Sequence, residues 1–124
     1  MILIVEDEIL IRATLSDYLQ DCGLKVLEAS NAAEAMEILN AGQTTIELVF
    51  ADVMLPGEMD GIDLAEWIRD NYPGVQVMLT SGNGLKIDDA RDLGNNNSFL
   101  VKPYAFHTVA RHFMDLIDFR DRAN

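Results

Sequence analysis

Residues 47–52 have the sequence Glu47-Leu-Val-Phe-Ala-Asp52, in which a run of apolar residues is followed directly by an acid. Such a short, nearly continuous apolar run is typical of a strand that is buried on both faces of a parallel sheet. The same pattern recurs along the chain. It predicts five strands: Ile2–Val5, Lys25–Ala29, Glu47–Ala51, Val75–Leu79 and Ser98–Val101.

Helical periodicity lies between these runs. In the first helix, apolar residues recur at helical spacing, as at Ile11, Leu15 and Leu19. Gly23 follows as the residue that ends this helix. The second begins at the capping candidate Asn31, with Glu34 three residues later. A third is ended by the turn at 72–74, and the clearest covers 106–117. The fourth helix, 86–93, has the weakest signal because glycines and asparagines flank it.

The predicted order is therefore (βα)₅ in one domain, residues 1–124. Parallel strands need right-handed crossover connections, which place helices on both faces of the sheet. The fold class is α/β: a doubly wound, three-layer sandwich with a five-stranded parallel sheet. In such sheets, ligands bind outside the carboxyl ends of the strands, where the strand order reverses.

Composition restricts the partners. The net charge of −12 repels nucleic acid phosphates and anionic lipid headgroups, so we expect neither direct nucleic acid binding nor membrane association. No apolar stretch approaches the length of a membrane span. The single cysteine, Cys22, has no partner in the chain, which favours a reducing, cytoplasmic location. We expect Cys22 to be a small buried apolar residue.

Polar residues follow four of the predicted strands. Strand 1 is followed by Glu6-Asp7-Glu8, strand 3 by Asp52, strand 4 by Thr80-Ser81 and strand 5 by Lys102-Pro103. If the fold is correct, these groups converge at one edge of the sheet.

The convergence predicts a magnesium-dependent phosphoryl site. Clustered carboxylates repel one another, and a cation relieves that repulsion. Mg²⁺ prefers oxygen ligands, keeps several waters and also takes phosphate oxygens. Lys102 can pair with a carboxylate or a phosphate, and the Thr80 hydroxyl can donate to a phosphate oxygen. An acid such as Asp52 can then serve as the nucleophile.

At this point the sequence resembles a known family, the receiver domains of two-component response regulators, which share the flavodoxin-like fold. Their pattern is an acidic pair after strand 1, an Asp after strand 3, Thr or Ser after strand 4 and Lys-Pro after strand 5. The resemblance covers essentially the whole chain. Each motif is weak alone, but the four in order are a specific combination.

The resemblance implies a role for each matching residue. Asp52 matches the phospho-acceptor, and Glu6, Asp7, Asp52 and the Met54 backbone carbonyl match the protein ligands of Mg²⁺. Thr80 and Phe99 match the two switch residues. Lys102 matches the lysine that pairs with an acid and a phosphoryl oxygen, and the bond before Pro103 matches a cis peptide.

The implied function is that of a phosphorylatable switch and not of an enzyme acting on other molecules. A sensor histidine kinase or a histidine phosphotransfer protein would donate the phosphoryl group. The surface of the fourth helix, fifth strand and last helix would then control a downstream protein target, and the same surface supports a homodimer in many receivers. The kinase, the target and any output domain are not readable from the sequence.

Three alternatives remain. A flavodoxin-like FMN carrier shares the fold, but Glu6-Asp7-Glu8 would repel a flavin phosphate. A haloacid-dehalogenase-type phosphatase also uses an Asp nucleophile, but that class carries it after the first strand. A degenerate receiver that only binds partners is disfavoured by the intact set of acids, hydroxyl and lysine.

Overall fold

The structure is a computed structural model that describes residues 1–81, 97–101 and 104–123, without the side chains of 97–99, 101 and 118–123. The predicted fourth helix, Lys102 and Pro103 lie outside these ranges, as does the side chain of Phe99. No helix in the described ranges is both long enough and apolar enough to cross a membrane.

Five parallel strands form one sheet in the order β2-β1-β3-β4-β5. Their bounds are β1 Ile2–Val5, β2 Val26–Ala29, β3 Leu48–Asp52, β4 Gln76–Ser81 and β5 Asn97–Val101. The order reverses between β1 and β3, because the chain first adds β2 on one side of β1 and then adds β3 on the other. The predicted fold class is confirmed, since this order is that of the flavodoxin-like doubly wound sheets.

Four helices are described: α1 Ile9–Asp21, α2 Ala32–Ala41, α3 Gly61–Asn71 and the C-terminal helix Phe106–Ala123. The predicted stop at Gly23 is confirmed, since its φ of +92° lies in the region that favours glycine. The predicted cap is confirmed too, because the Asn31 side chain accepts a hydrogen bond from the Glu34 amide.

The apolar core forms two layers, one on each face of the sheet. Phe50 of β3 faces the layer shared with α1 and the C-terminal helix, and its ring meets Phe113 edge to face at 5.3 Å between centroids. Its neighbours Val49 and Ala51 face the opposite layer, against α2 and α3. All residues of β1 and β3 are buried, so both faces of these strands are covered, as the apolar runs predict.

Two expectations differ from the structure. Asp52, Thr80 and Ser81 were expected just after their strands, but they are the last residues of β3 and β4. Polar residues can end a strand because the backbone ladder, and not the side chain, defines it. The expected burial of Cys22 is wrong, since Cys22 is exposed. It forms the C-terminal cap of α1, where the helix leaves the core.

Candidate functional site at the strand ends

The first two acids lie on either side of the point where the strand order reverses. Val5 of β1 is in register with Ala51 of β3. The residues that come next are Glu6, just after β1, and Asp52, the last residue of β3. Neighbouring strands lie about 4.8 Å apart, so the register places these two residues side by side. The register therefore places Glu6 and Asp52 at the same edge of the sheet. Within the described residues, however, no three Asp, Glu, His or Cys side chains form a group that could hold a metal ion.

The carboxylate of Asp52 is enclosed, since only 6% of the residue is exposed. Its Oδ1 accepts a hydrogen bond from the backbone amide of Met54 at 2.9 Å. The next peptide is tied to β4, because the Val53 amide donates to the Thr80 carbonyl oxygen at 2.9 Å. A buried charge is costly unless polar groups or a counter-ion compensate it, so a carboxylate in this position suits a site that takes a cation.

The start of α3 contacts the backbone of Asp52 and Val53. Asp60 and Asp63 form a reciprocal capping box, and the Gly61 amide donates to the Val53 carbonyl oxygen at 2.9 Å. A β-carbon at Gly61 would lie 2.8 Å from the Asp52 carbonyl carbon and still closer to its oxygen. Glycine is therefore the residue that lets α3 pack directly against the backbone of Asp52.

Thr80 is the neighbour of Asp52 on the other side, because the two residues are in register across β3 and β4. Only 2% of Thr80 is exposed. In the part of the chain that the structure describes, its Oγ1 atom is buried without a hydrogen bond partner. A buried hydroxyl that lacks a partner is uncommon and calls for an explanation, such as a ligand that supplies the partner.

The acidic pair after β1 contains one enclosed and one open side chain. Glu6 is buried, and its Oε2 accepts from the Glu8 amide at 3.1 Å, while its own amide donates to Ala29 of β2. Asp7 is exposed. An exposed carboxylate beside a buried one presents oxygen atoms to solvent, where a hydrated cation can approach.

Arg12 of α1 reaches across this loop. Its Nη1 donates to the Glu6 carbonyl oxygen at 2.7 Å, and its Nε donates to Glu28 of β2 at 3.1 Å. Nearby, hydrogen bonds from the Ser30 hydroxyl and amide lower the pKa of Glu34, and the positive charge of Arg12 lowers this pKa further. Arg12 thus interacts with both the acidic loop and the edge strand.

The remaining predicted site residues are only partly described. The backbone of Phe99 pairs with Leu79 in the β4–β5 ladder, one position from Thr80. Met54 lies in the loop after β3 and is exposed. Lys102 and Pro103 belong to the residues that the structure does not describe.

Sequence reasoning missed two residues of this region, Gly61 and Arg12. The capping signature of Asp60 and Asp63 could have located the start of α3, but a glycine after a cap does not reveal which backbone it touches. No sequence pattern pointed to Arg12, because it lies on α1 and its partner Glu28 lies on β2, 16 residues away.

Comparisons with known proteins agree with this geometry. The model of the response regulator receiver domain family matches residues 2–113. The sensor kinase CckA of Brucella abortus is 32% identical over 97% of this chain, which corresponds to 13% of that protein. The transcriptional regulatory protein SrrA of Staphylococcus aureus is 36% identical over 84% of the chain and 42% of its own length. The chain thus spans less than half of these relatives.

Solved structures give the same result. A response regulator receiver domain protein from Clostridium thermocellum has a TM-score of 0.87 and 25% identity, covering 99% of this chain and 98% of its own. The response regulator TrrA of Thermotoga maritima, solved in complex with Mg²⁺ and BeF, has a TM-score of 0.81 and 27% identity, covering 93% and 96%. The chain therefore belongs to the receiver domains of response regulators, the phosphoryl-accepting modules of two-component systems.

Proposed function

We propose that residues 1–124 form one receiver domain that accepts a phosphoryl group on Asp52. The observation that carries the proposal is the register of a buried carboxylate, Asp52, with Thr80 on the adjacent strand, whose buried hydroxyl has no hydrogen bond partner among the described residues. A phosphoryl group on Asp52 would bring oxygen atoms that can accept the Thr80 hydrogen.

The transfer would proceed by nucleophilic attack. A carboxylate oxygen of Asp52 bonds to phosphorus while the phosphorus–nitrogen bond of a phosphohistidine donor breaks, and the imidazole nitrogen leaves with the electron pair. The Met54 amide orients the carboxylate through its hydrogen bond to Oδ1. Lys102 is proposed to pair with the phosphoryl oxygens.

The donor set suits Mg²⁺. Glu6, Asp7, Asp52 and the backbone carbonyl of Met54 offer oxygen atoms only, and two of the three carboxylates belong to buried residues. Bound Mg²⁺ would offset the negative charge that these carboxylates and the phosphoryl oxygens bring together. TrrA, solved with Mg²⁺ and BeF, supports this assignment by similarity.

The surroundings of Asp52 suit a protein donor. The large apolar residues that the described part of the chain exposes are Ile9, Leu10 and Met54, with exposures of 68%, 81% and 58%. All three follow β1 or β3, so they lie at the same end of the sheet as Asp52. Exposed apolar residues grouped at a site favour contact with another protein. We assign this contact to a histidine kinase or a histidine phosphotransfer protein.

The output is proposed to pass through Thr80 and Phe99 to the surface of residues 86–93, β5 and the C-terminal helix. That surface would bind a downstream protein or a second copy of the chain. The proposed role is that of a cytoplasmic phospho-acceptor that assists only its own phosphorylation and dephosphorylation. Family membership decides against the FMN carrier and the phosphatase, and a degenerate receiver is distinguished by phosphorylation.

Asp52→Asn tests the acceptor. We expect complete loss of acid-labile label from radiolabelled acetyl phosphate, because the amide is a poor nucleophile. Asp17→Asn, an exposed aspartate on α1, serves as the matched control and should be labelled like the wild type. Label at wild-type stoichiometry in Asp52→Asn would refute the assignment, and an unlabelled but folded wild type would favour the degenerate receiver.

Mg²⁺ titration tests the metal site. Millimolar Mg²⁺ should raise the unfolding temperature of the wild type, since a ligand that binds only the folded state stabilises it. Asp7→Ala should weaken this response, whereas Asp17→Ala should retain it. A wild-type unfolding temperature that does not depend on Mg²⁺ would contradict the site.

A further inference from the structure

Arg12 is the residue that links three parts of the chain at the acidic end of the sheet. It belongs to α1, its Nη1 donates to the Glu6 carbonyl oxygen at 2.7 Å, and its Nε donates to Glu28 of β2 at 3.1 Å. The side chain is largely enclosed, with 17% exposed. A largely enclosed guanidinium with two hydrogen bond acceptors is restricted in orientation, because its donors form a rigid fork.

The bond to Glu6 has a specific consequence for Asp7. The Glu6 carbonyl and the Asp7 amide belong to the same peptide unit, and a peptide unit is planar and rigid. Fixing the carbonyl oxygen therefore fixes the plane from which the Asp7 α-carbon extends. Asp7 itself is exposed, and no hydrogen bond of its carboxylate is seen within the described residues.

Glu28 completes the arrangement from the other side. It is the third residue of β2, in register with Ile4 of β1, two positions before Glu6. The Glu28 carboxylate accepts a hydrogen bond from the Arg12 Nε, so β2 orients the guanidinium. The guanidinium in turn orients the peptide between Glu6 and Asp7. The chain of contacts runs from β2 through Arg12 to the loop that carries the acidic pair.

We propose that Arg12 is a positioning residue for the Mg²⁺ ligand Asp7 and that Glu28 holds Arg12 in place. The inference rests on the proposed magnesium site. It concerns how the site is held and not which atoms touch the ion.

The direction in which the Mg²⁺ affinity changes on replacement of Arg12 separates a positioning role from a simple charge effect. Arg12 is a cation beside a cation site, so its charge alone repels Mg²⁺, and its removal would tighten binding. Loss of a positioning contact has the opposite effect, because the Asp7 carboxylate then samples orientations that do not bind. Loss of an outer contact of a metal ligand costs on the order of 10–100-fold in affinity.

The experiment compares the Kd for Mg²⁺, taken from the dependence of the unfolding temperature on Mg²⁺ concentration, in Arg12→Ala, Arg12→Lys and wild type. We expect Kd to rise about 10-fold or more in Arg12→Ala. Arg12→Lys keeps the charge but lacks the fork, so its Kd should fall between the two. The unfolding temperature without Mg²⁺ reports separately on the structural cost of each substitution.

Arg69→Ala is the matched control, since Arg69 lies on the exposed face of α3 and pairs with Asp70. It changes the net charge equally and should leave Kd unchanged. Glu28→Ala, which keeps Arg12, should raise Kd less than Arg12→Ala but more than Glu37→Ala, which removes an exposed negative charge of α2 without touching Arg12. It provides a measurement if Arg12→Ala does not fold. An unchanged or lower Kd in Arg12→Lys and Glu28→Ala, with Mg²⁺ binding by the wild type, would overturn the role of Arg12. A wild type without Mg²⁺ dependence would instead overturn the metal site itself, and with it this inference.

Discussion

Asp52 ends β3 and Asp7 lies just after the neighbouring strand β1, yet the protein holds them by different means. Backbone groups surround Asp52: the Met54 amide binds its carboxylate, and the backbone next to it bonds to β4 and α3. The loop of Asp7 has a backbone bond from Glu6 to β2, but it depends in addition on side chains, through Arg12 and Glu28. We call these the backbone-held region and the side-chain-held region.

The difference concerns how each region responds to substitution. Backbone hydrogen bonds survive most changes of side chain, so these backbone contacts around Asp52 depend on few residue identities. One of these is Gly61, because any β-carbon there meets the backbone. The side-chain-held region depends instead on the identities of Arg12 and Glu28, and its contacts can be removed one at a time.

The largest effect is expected for Gly61→Ala, which breaks the backbone-held region. The new β-carbon would press on the Asp52 carbonyl group and the Val53 α-carbon, so the backbone that carries Asp52 must move. We expect the free energy of unfolding to fall by about 1–3 kcal/mol. Labelling by acetyl phosphate should also slow, because the carboxylate is displaced.

Gly42→Ala is the control for this prediction. Gly42 has a φ of +65° and nothing within 4 Å of an added β-carbon, so alanine there costs about 1 kcal/mol through backbone strain alone. Labelling should stay at the wild-type rate. If Gly61→Ala is also labelled at that rate, then Gly61 affects stability without positioning Asp52.

A smaller effect of the opposite sign is expected for Thr80→Val. The buried Thr80 hydroxyl has no partner in the described part of the chain, so its replacement by an apolar group of the same shape should raise the free energy of unfolding by about 1 kcal/mol, measured by urea denaturation without Mg²⁺. The variant should bind fluoroberyllate, a phosphoryl mimic, more weakly than the wild type.

Ser16→Ala provides the contrast. The Ser16 hydroxyl is also buried, but it accepts a hydrogen bond from Gln20 at 3.2 Å, so its removal should lower stability. A loss of stability in Thr80→Val similar to that in Ser16→Ala would mean that Thr80 has a partner in the resting protein.

The smallest effect is expected for the dependence of stability on pH through Glu34, which lies near the side-chain-held region. Hydrogen bonds from Ser30, helped by the charge of Arg12, lower the pKa of Glu34 below its usual 4.5. The ionised form is therefore favoured by folding, and its contribution to stability is complete above that value and lost as the pH falls through the lowered pKa. Wild type and Glu34→Gln should differ in urea midpoint at neutral pH and converge in acid. A constant difference across this range would exclude the ionised carboxylate as its source.

Much of the fold followed from local pattern. The apolar runs of β1, β3 and β4 indicated strands buried on both faces, and the alternation of strands and helices then restricted the topology to a doubly wound sheet. The ends of the strands were less predictable. Asp52 was expected after β3, since acids are rare in strands. Its pairing with Thr80 of β4 instead makes Asp52 the last residue of β3.

The candidate site also contains residues that the sequence predicted and residues that it did not. Residues with distinctive chemistry at strand ends, such as Glu6, Asp52 and Thr80, could be assigned to one edge of the sheet, and the structure places them there. The residues that hold them could not be identified. The fit of Gly61 against Asp52 and the bond from Arg12 to Glu28 are long-range contacts, which single-sequence periodicity does not encode. Cys22 shows a further limit, since its place on the apolar stripe did not reveal that α1 leaves the core there.

The ion pair of Glu28 and Arg12 also bears on whether copies of this chain can pair through the edge of their sheets. β2 lies at one edge of the sheet, and an open edge offers unpaired backbone groups that another chain can join as an added strand. Here the edge strand has only four residues, and one of them is a charged glutamate bound to a helix. Short length and charge are the features that discourage such pairing. The contact that we assign to orienting Asp7 therefore lies on a strand that is poorly suited to start aggregation.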